Sequence, residues 1–369
     1  MTTRREWIQG LVALAALPAL RRARAATGKA SKPLDLLFLG GTGFLGPQQV
    51  EYALARGHRV TLFNRGKSAP GLYGDRAEVL IGDRDTKVGA GLSALQGTRR
   101  WDAVIDNSGY VPRHVRDSIA LLEDRVGRYL YVSTVAVYDR AAGPVFDERS
   151  KLRPAPVPDT EQVTGETYGP LKAECDRIVQ AALGARATIV RPTYIFGPGD
   201  DTDRFTYWVE RVSRGGEVLA PPDPKVELQW VDVRDLCPWI VDLAERDQAG
   251  IYNAAGPAKP VTWDEVLREL AQQSTTPAQF TPATADVLTQ AGISLPLVRT
   301  ENLWGGGSVH FDSTAAQAAG LHYRPLADTA AATLAWWRAQ PAERRAKAEG
   351  WPTPEQEARA LQQLRQKAA

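Results

Sequence analysis

The sequence predicts an α/β fold, a doubly wound parallel sheet with a smaller C-terminal lobe. Three observations point to it. Short apolar strands alternate with helical patterns from Pro33 onward, a glycine triplet joins the first strand to the first helix, and the alternation becomes irregular after Ile195. The strands are Leu34–Leu39, Arg59–Phe63, Val79–Ile81, Ala103–Ile105, Arg128–Ser133 and Ala187–Arg191. Strands separated by helices imply βαβ units, and right-handed crossovers wind helices onto both faces of one sheet.

Four regions follow. Residues 1–30 read as a signal segment, 33–194 as a nucleotide-binding domain, 195–340 as a substrate lobe, and 341–369 as a polar tail, a solvated helix or frayed end. Within the lobe, Gln229–Asp232 and Ile251–Asn253 look like strands that return to the main sheet, so 229–253 is assigned back to it. The Pro-rich and acidic stretch Ala141–Thr164 reads as a surface loop near the mouth of the site.

The 369 residues, 43% hydrophobic and 24% charged, suit a globular chain of about two domains. A net charge of +2 gives no field that would draw in nucleic acid. Only Cys175 and Cys237 are present, outside any CxxC pair, which speaks against zinc and a disulfide framework. They read as two buried thiols, although an oxidising compartment would let them pair. His58, His114, His310 and His322 are isolated and read as packing or surface residues. Trp336 and Trp337 read as core, and Gly305–Gly307 as a loop.

The N-terminus has a charged start at Arg4 and Arg5, an apolar run from Leu11 to Leu20, and an Ala23-Arg24-Ala25 end. This is the layout of a cleaved export signal, and the paired arginines are of twin-arginine type. The competing reading is an amphipathic or disordered arm, which would leave the protein cytoplasmic. The apolar run is shorter than the roughly 20 residues a bilayer-spanning helix needs, so no membrane span is expected after cleavage.

Gly40-Gly41-Thr42-Gly43-Phe44-Leu45-Gly46 directly follows the first strand and opens a helix. Gly40 permits the tight turn, Gly43 lets backbone approach a pyrophosphate, and Gly46 lets helix pack on strand. The free N–H groups of the helix start then face the phosphates, with Thr42, Phe44 and Leu45 in the same loop. In this context the triplet is the Rossmann dinucleotide fingerprint rather than an empty βα turn. The second strand ends at Asn64, followed by Arg65 and Lys67, where an NAD site would carry a carboxylate. A basic loop favours the 2′-phosphate, so NADP(H) is expected over NAD(H). Asp83, after the third strand, is the expected partner of the adenine amino group.

Tyr168 and Lys172 stand at i and i+4, on one face of a helix. An ammonium beside a phenol favours tyrosinate, which can exchange a proton with an alcohol or carbonyl as hydride moves. With these motifs, Tyr131-Val132-Ser133-Thr134-Val135-Ala136-Val137-Tyr138 and Arg191-Pro192-Thr193-Tyr194-Ile195-Phe196-Gly197-Pro198-Gly199, the chain resembles the extended short-chain dehydrogenase/reductase family of nucleotide-sugar epimerases and dehydratases, over roughly Leu34–Trp337. The resemblance implies that Thr134 is the catalytic hydroxyl, Tyr168 the acid/base, and Lys172 both its partner and a ribose ligand. It places Asn107, Ser108, Gly109, Ser133 and Arg191 among the cofactor-binding residues. Val135 and Ala136 stand where dehydratases carry an acidic pair, which disfavours sugar dehydration, and Asp139 replaces a usual Gly.

The expected activity is hydride transfer on a sugar-like or other secondary alcohol or carbonyl. An exported protein cannot exchange a cytoplasmic cofactor, so a tightly held, self-recycled one is expected. The alternatives are an NADPH-dependent carbonyl reductase and a non-enzymatic NADP-binding or interaction protein. The expected partner is a small molecule, a sugar or carbonyl, with no nucleic acid and no metal. A homodimer is compatible with this class. Arg204, Tyr207 and Gln229 lie in the expected substrate lobe.

Overall fold

A computed structural model describes residues 28–156, 160–298, 308–348 and 350–368. The proposed signal segment up to residue 27 and the Gly305–Gly307 loop lie outside the described residues. In chain order the strands are β1 (Asp35–Leu39), β2 (Arg59–Asn64), β3 (Glu78–Ile81), β4 (Trp101–Asp106), β5 (Val126–Val132), β6 (Val145–Phe146), β7 (Ala187–Pro192), β8 (Tyr194–Phe196), β9 (Gly216–Ala220), β10 (Glu227–Asp232), β11 (Gly250–Ala254), β12 (Gly256–Thr262), β13 (Ala278–Pro282) and β14 (His310–Phe311).

The chain forms two compact units. The first runs to Thr193 and takes back Val233–Ala255 and Phe311–His322. It holds a seven-stranded parallel sheet in the order β11-β7-β5-β4-β1-β2-β3. Strand order reverses at β1, because β2 and β3 extend to one side and β4, β5, β7 and β11 to the other. That reversal makes β1 and β4 the switch point of the sheet, and open α/β sheets bind ligands outside the carboxyl ends of the strands at such a point.

The central strands are buried on both faces, so they read as continuous apolar runs rather than alternating ones, whereas the edge strand β3 is largely exposed. Leu37 and Leu39 share a cluster with Val104, Val115, Ile119, Cys175 and Val179, which belong partly to helices Pro112–Leu122 and Tyr168–Leu183. Leu36 and Phe38, equally buried, point to the opposite face. Helices Gly46–Arg56 and Val233–Glu245 are tied together by Tyr52 to Asp242 at 2.8 Å and by Arg56 to Glu245. His58 joins that cluster through Leu34 N and Glu245, as a packing residue. Within Ala141–Thr164, β6 pairs with β14, and Phe146 stacks on Tyr138 at 5.3 Å.

The second unit comprises Tyr194–Asp232, Gly256–His310 and Tyr323–Ala369. Its core gathers Trp208, Trp263, Leu219, Leu267 and Val287. Two expectations are corrected here. Gln229–Asp232 does not return to the main sheet. It lies in β10, in the three-stranded sheet β12-β10-β8, and of the two segments only Ile251–Asn253 joins the seven strands. The polar tail is not frayed either: helix Pro354–Ala368 buries Ala360 and Leu361 in the second core, and Glu357 pairs with Arg211 at 2.7 Å. Tyr207 is likewise buried in that core, between Trp208 and Trp351.

Candidate active site

The first unit alone assembles the expected site. Gly40 adopts φ +107° and its N–H is bonded to Phe63 O at 3.0 Å, so the chain turns sharply off β1. A Cβ on Gly46 would lie 2.2 Å from the carbonyl carbon of Gly41, so the helix start rests directly on the turn. Gly43 differs. It has no positive φ, and a Cβ there would meet nothing within 4 Å. Nothing in the fold demands glycine at 43, whereas a ligand drawn up against the backbone would. Helix Gly46–Arg56 also has no side-chain cap and no acidic residue in its first turn, which leaves its N–H groups to an anion. The cradle therefore fits a dinucleotide pyrophosphate. Tyr73 fastens it from behind, donating to Gly41 O at 2.6 Å.

At the expected adenosine end, Asn64 Oδ1 accepts from Gly66 N at 2.8 Å, which shapes the turn that presents exposed Arg65 and Lys67. Asp83 is half-buried and its Oδ1 caps the N–H of Asp85. After β4, Asn107 exchanges two side-chain hydrogen bonds with Gln49 of the first helix. Ser108 Oγ donates to Leu39 O at 3.0 Å, so this loop is stitched to the end of β1.

Lys172 is buried. Its Nζ donates to Gly109 O and Val132 O, both at 2.8 Å, and lies 4.2 Å from the Tyr131 ring and 5.2 Å from that of Tyr110. Burial lowers its pKa to about 8, because the neighbouring carboxylates Asp106 and Asp176 only partly offset the loss of water. An ammonium carries three N–H donors, so two carbonyls leave one for a ligand.

Tyr168 is half-buried at the start of the same helix, its ring centroid 6.3 Å from that of Tyr110. The next residue, Gly169, packs against Ala136 so closely that a Cβ would sit 2.4 Å from Ala136 O. Thr134 caps this same turn, its Oγ1 accepting from Ala136 N at 3.2 Å. One contact thus brings Thr134, Tyr168 and Lys172 to the carboxyl end of β5.

Ser133 and Arg191 sit deeper. Arg191 Nε pairs with Asp176 Oδ2 at 2.8 Å, and its Nη1 donates to Tyr138 Oη and Glu148 O. Its guanidinium is committed to this interior network, and sequence reasoning that set it beside the cofactor missed Asp176, its partner. Burial raises the Asp176 carboxyl above its ordinary pKa, with Arg191 offsetting only part. Sequence reasoning also missed Arg84 and Asp106, whose paired charges on the Gly82-Asp83-Arg84 and Ile105-Asp106-Asn107 segments were the signal present. Cys175 and Cys237 are buried thiols that form no disulfide, and no metal-binding group occurs among the described residues.

Comparison with known proteins identifies the family. The NAD dependent epimerase/dehydratase family matches residues 36–255. The chain is 27% identical over 261 residues to the chloroplast stem-loop binding protein of 41 kDa b of Arabidopsis thaliana, covering 66% of this chain and 64% of that protein. It is 30% identical over 216 residues to the 2-alkyl-3-oxoalkanoate reductase of Stenotrophomonas maltophilia (strain K279a), covering 54% and 62%. The chain thus spans less than two thirds of either relative's length. The enzyme WbmG of Bordetella bronchiseptica, solved with NAD and UDP, shares the fold at a TM-score of 0.61 and 17% identity, covering 84% of this chain and 95% of that one. The family match over residues 36–255 places the chain in the NAD-dependent epimerase/dehydratase family.

Proposed function

We propose that this protein is an NADP(H)-preferring oxidoreductase or epimerase acting on a sugar-like or other secondary alcohol or carbonyl. The observation that carries the reading is the placement of Lys172, a buried ammonium held by Gly109 O and Val132 O one helical turn from Tyr168. Gly40, Gly43, Gly46 and the first-helix N–H groups would hold the pyrophosphate. Arg65 and Lys67 would clasp a 2′-phosphate, Asp83 would meet the adenine, and Asn107–Gly109 would line the nicotinamide side. When bound, the nicotinamide supplies or accepts the hydride. Tyr168 exchanges a proton with the substrate oxygen, Thr134 holds the same oxygen by a hydrogen bond, and Lys172 steadies the phenolate and the ribose.

The N-terminal layout supports export of the folded protein to the periplasm. Export favours a cofactor that travels with the enzyme and is regenerated within each turnover, as in an epimerisation. The test is the nicotinamide content of protein purified from its native compartment. Near-stoichiometric bound NADP supports the reading, and empty protein with no affinity for either nicotinamide overturns it. A second reading, a carbonyl reductase drawing on exchangeable NADPH, is favoured by the similarity to the 2-alkyl-3-oxoalkanoate reductase. Release of cofactor during turnover separates the two.

A further inference from the structure

We propose that Arg84 is a positioning residue that couples the adenosine end of the cradle to its nicotinamide end, bypassing the glycine loop. This inference rests on the nucleotide-binding reading above and extends it to a residue outside the cradle itself.

In the sheet, β3 and β4 are separated by β1 and β2, yet the loop after β3 carries Arg84 to the end of β4. There Arg84 Nη1 meets Asp106 Oδ1 at 2.6 Å and Nη2 meets Oδ2 at 3.0 Å, a bidentate pair with both side chains buried. Nη1 also donates to Ser108 Oγ at 3.0 Å, and Nη2 to His114 O at 3.3 Å. Asp106 is further held by Tyr129 Oη at 2.7 Å and by the N–H of Ser108 at 3.0 Å. The carboxylate is saturated, and Arg84 is the group that links the segment Asp106–Ser108, itself also held by Gln49 and Leu39 O, to the loop after β3.

That segment continues into the nicotinamide side. Gly109 follows, with so little room that a Cβ would lie 2.6 Å from Tyr131 Cε2 and 3.0 Å from Asp106 Oδ2. Its carbonyl then takes Tyr131 Oη at 2.5 Å and Lys172 Nζ at 2.8 Å. On the other side, Arg84 directly follows Asp83, the expected adenine contact. The chain of contacts Asp83–Arg84–Asp106–Ser108–Gly109–Lys172 therefore ties both ends together. A planar five-donor fork suits this task, because it fixes direction as well as distance.

A residue that only stabilises the fold would weaken all ligands alike, while a coupling residue separates them. The experiment measures fluorescence-detected affinity for NADPH and calorimetric affinity for 2′,5′-ADP, the adenosine half. The proteins are wild type, Arg84→Lys and the charge-neutral pair Arg84→Met/Asp106→Asn, which avoids stranding a buried carboxylate. The neutral pair should bind 2′,5′-ADP within about twofold of wild type and NADPH at least about tenfold more weakly, with Arg84→Lys recovering part of the loss. Equal weakening of both ligands, or no change in either, overturns the proposal. Arg84→Lys carries the same test if the neutral pair does not fold. A wild-type protein that binds neither ligand overturns instead the nucleotide-binding reading beneath it.

Discussion

The ammonium of Lys172 lies 2.8 Å from the carbonyl oxygen of Gly109, a bond that joins the helix carrying Tyr168 and Lys172 to the loop after β4. Burial of this cation sets a sign for stability. Its folded pKa of about 8 lies below the ordinary lysine value of 10.5, so between those values the unfolded chain holds the proton that the folded chain has lost. Folding carries the full penalty below pH 8 and is relieved as pH rises through that window. Relative to Lys172→Met, wild-type stability is expected to rise by up to about 3 kcal/mol between pH 8 and 10.5, at about 1.4 kcal/mol per unit. Urea denaturation of both proteins across that range checks it, and a flat difference counts against it.

Two glycines of the cradle should fail in different ways. Gly46→Ala forces a methyl group onto Gly41 and is expected to destabilise the fold by about 1–3 kcal/mol. Gly43→Ala meets no protein atom, so its melting temperature should stay near wild type while cofactor affinity falls at least about tenfold. Thermal melts and NADPH titration distinguish the two.

Exposed Arg65 and Lys67 are proposed to hold a 2′-phosphate. Arg65→Ala is expected to weaken NADPH by about 1.5–3 kcal/mol, the worth of a hydrogen bond to a charged group, and to leave NADH within about twofold. Equal losses for both cofactors would remove the assignment.

Arg191 pairs with the buried carboxylate of Asp176 at 2.8 Å and offsets part of the cost of its burial. Arg191→Met strands that charge and loses the bonds to Tyr138 and Glu148, for an expected cost of about 3–5 kcal/mol. Arg191→Met/Asp176→Leu should recover much of it in chemical denaturation.

The doubly wound sheet was legible because apolar strand runs and a glycine-bearing βα turn depend on nearby residues. The Tyr168–Lys172 pair was legible because an i, i+4 spacing fixes a shared helix face whatever the tertiary context. Long-range pairing was not. Gln229–Asp232 is apolar enough for either sheet, and only packing assigns it to β8 and β12. Arg84 and Asp106 are 22 residues apart and meet only because the loop after β3 crosses the sheet end. The charged tail hid Ala360 and Leu361, whose burial depends on a partner core formed far earlier in the chain.

The phenol of Tyr168 is proposed to move the substrate proton beside a nicotinamide held by the first glycine turn. The most direct measurement compares turnover and NADPH affinity in wild type and Tyr168→Phe. Turnover is predicted to fall by about 10²–10⁴ while NADPH affinity stays within about twofold. Undiminished turnover in Tyr168→Phe would contradict the claim.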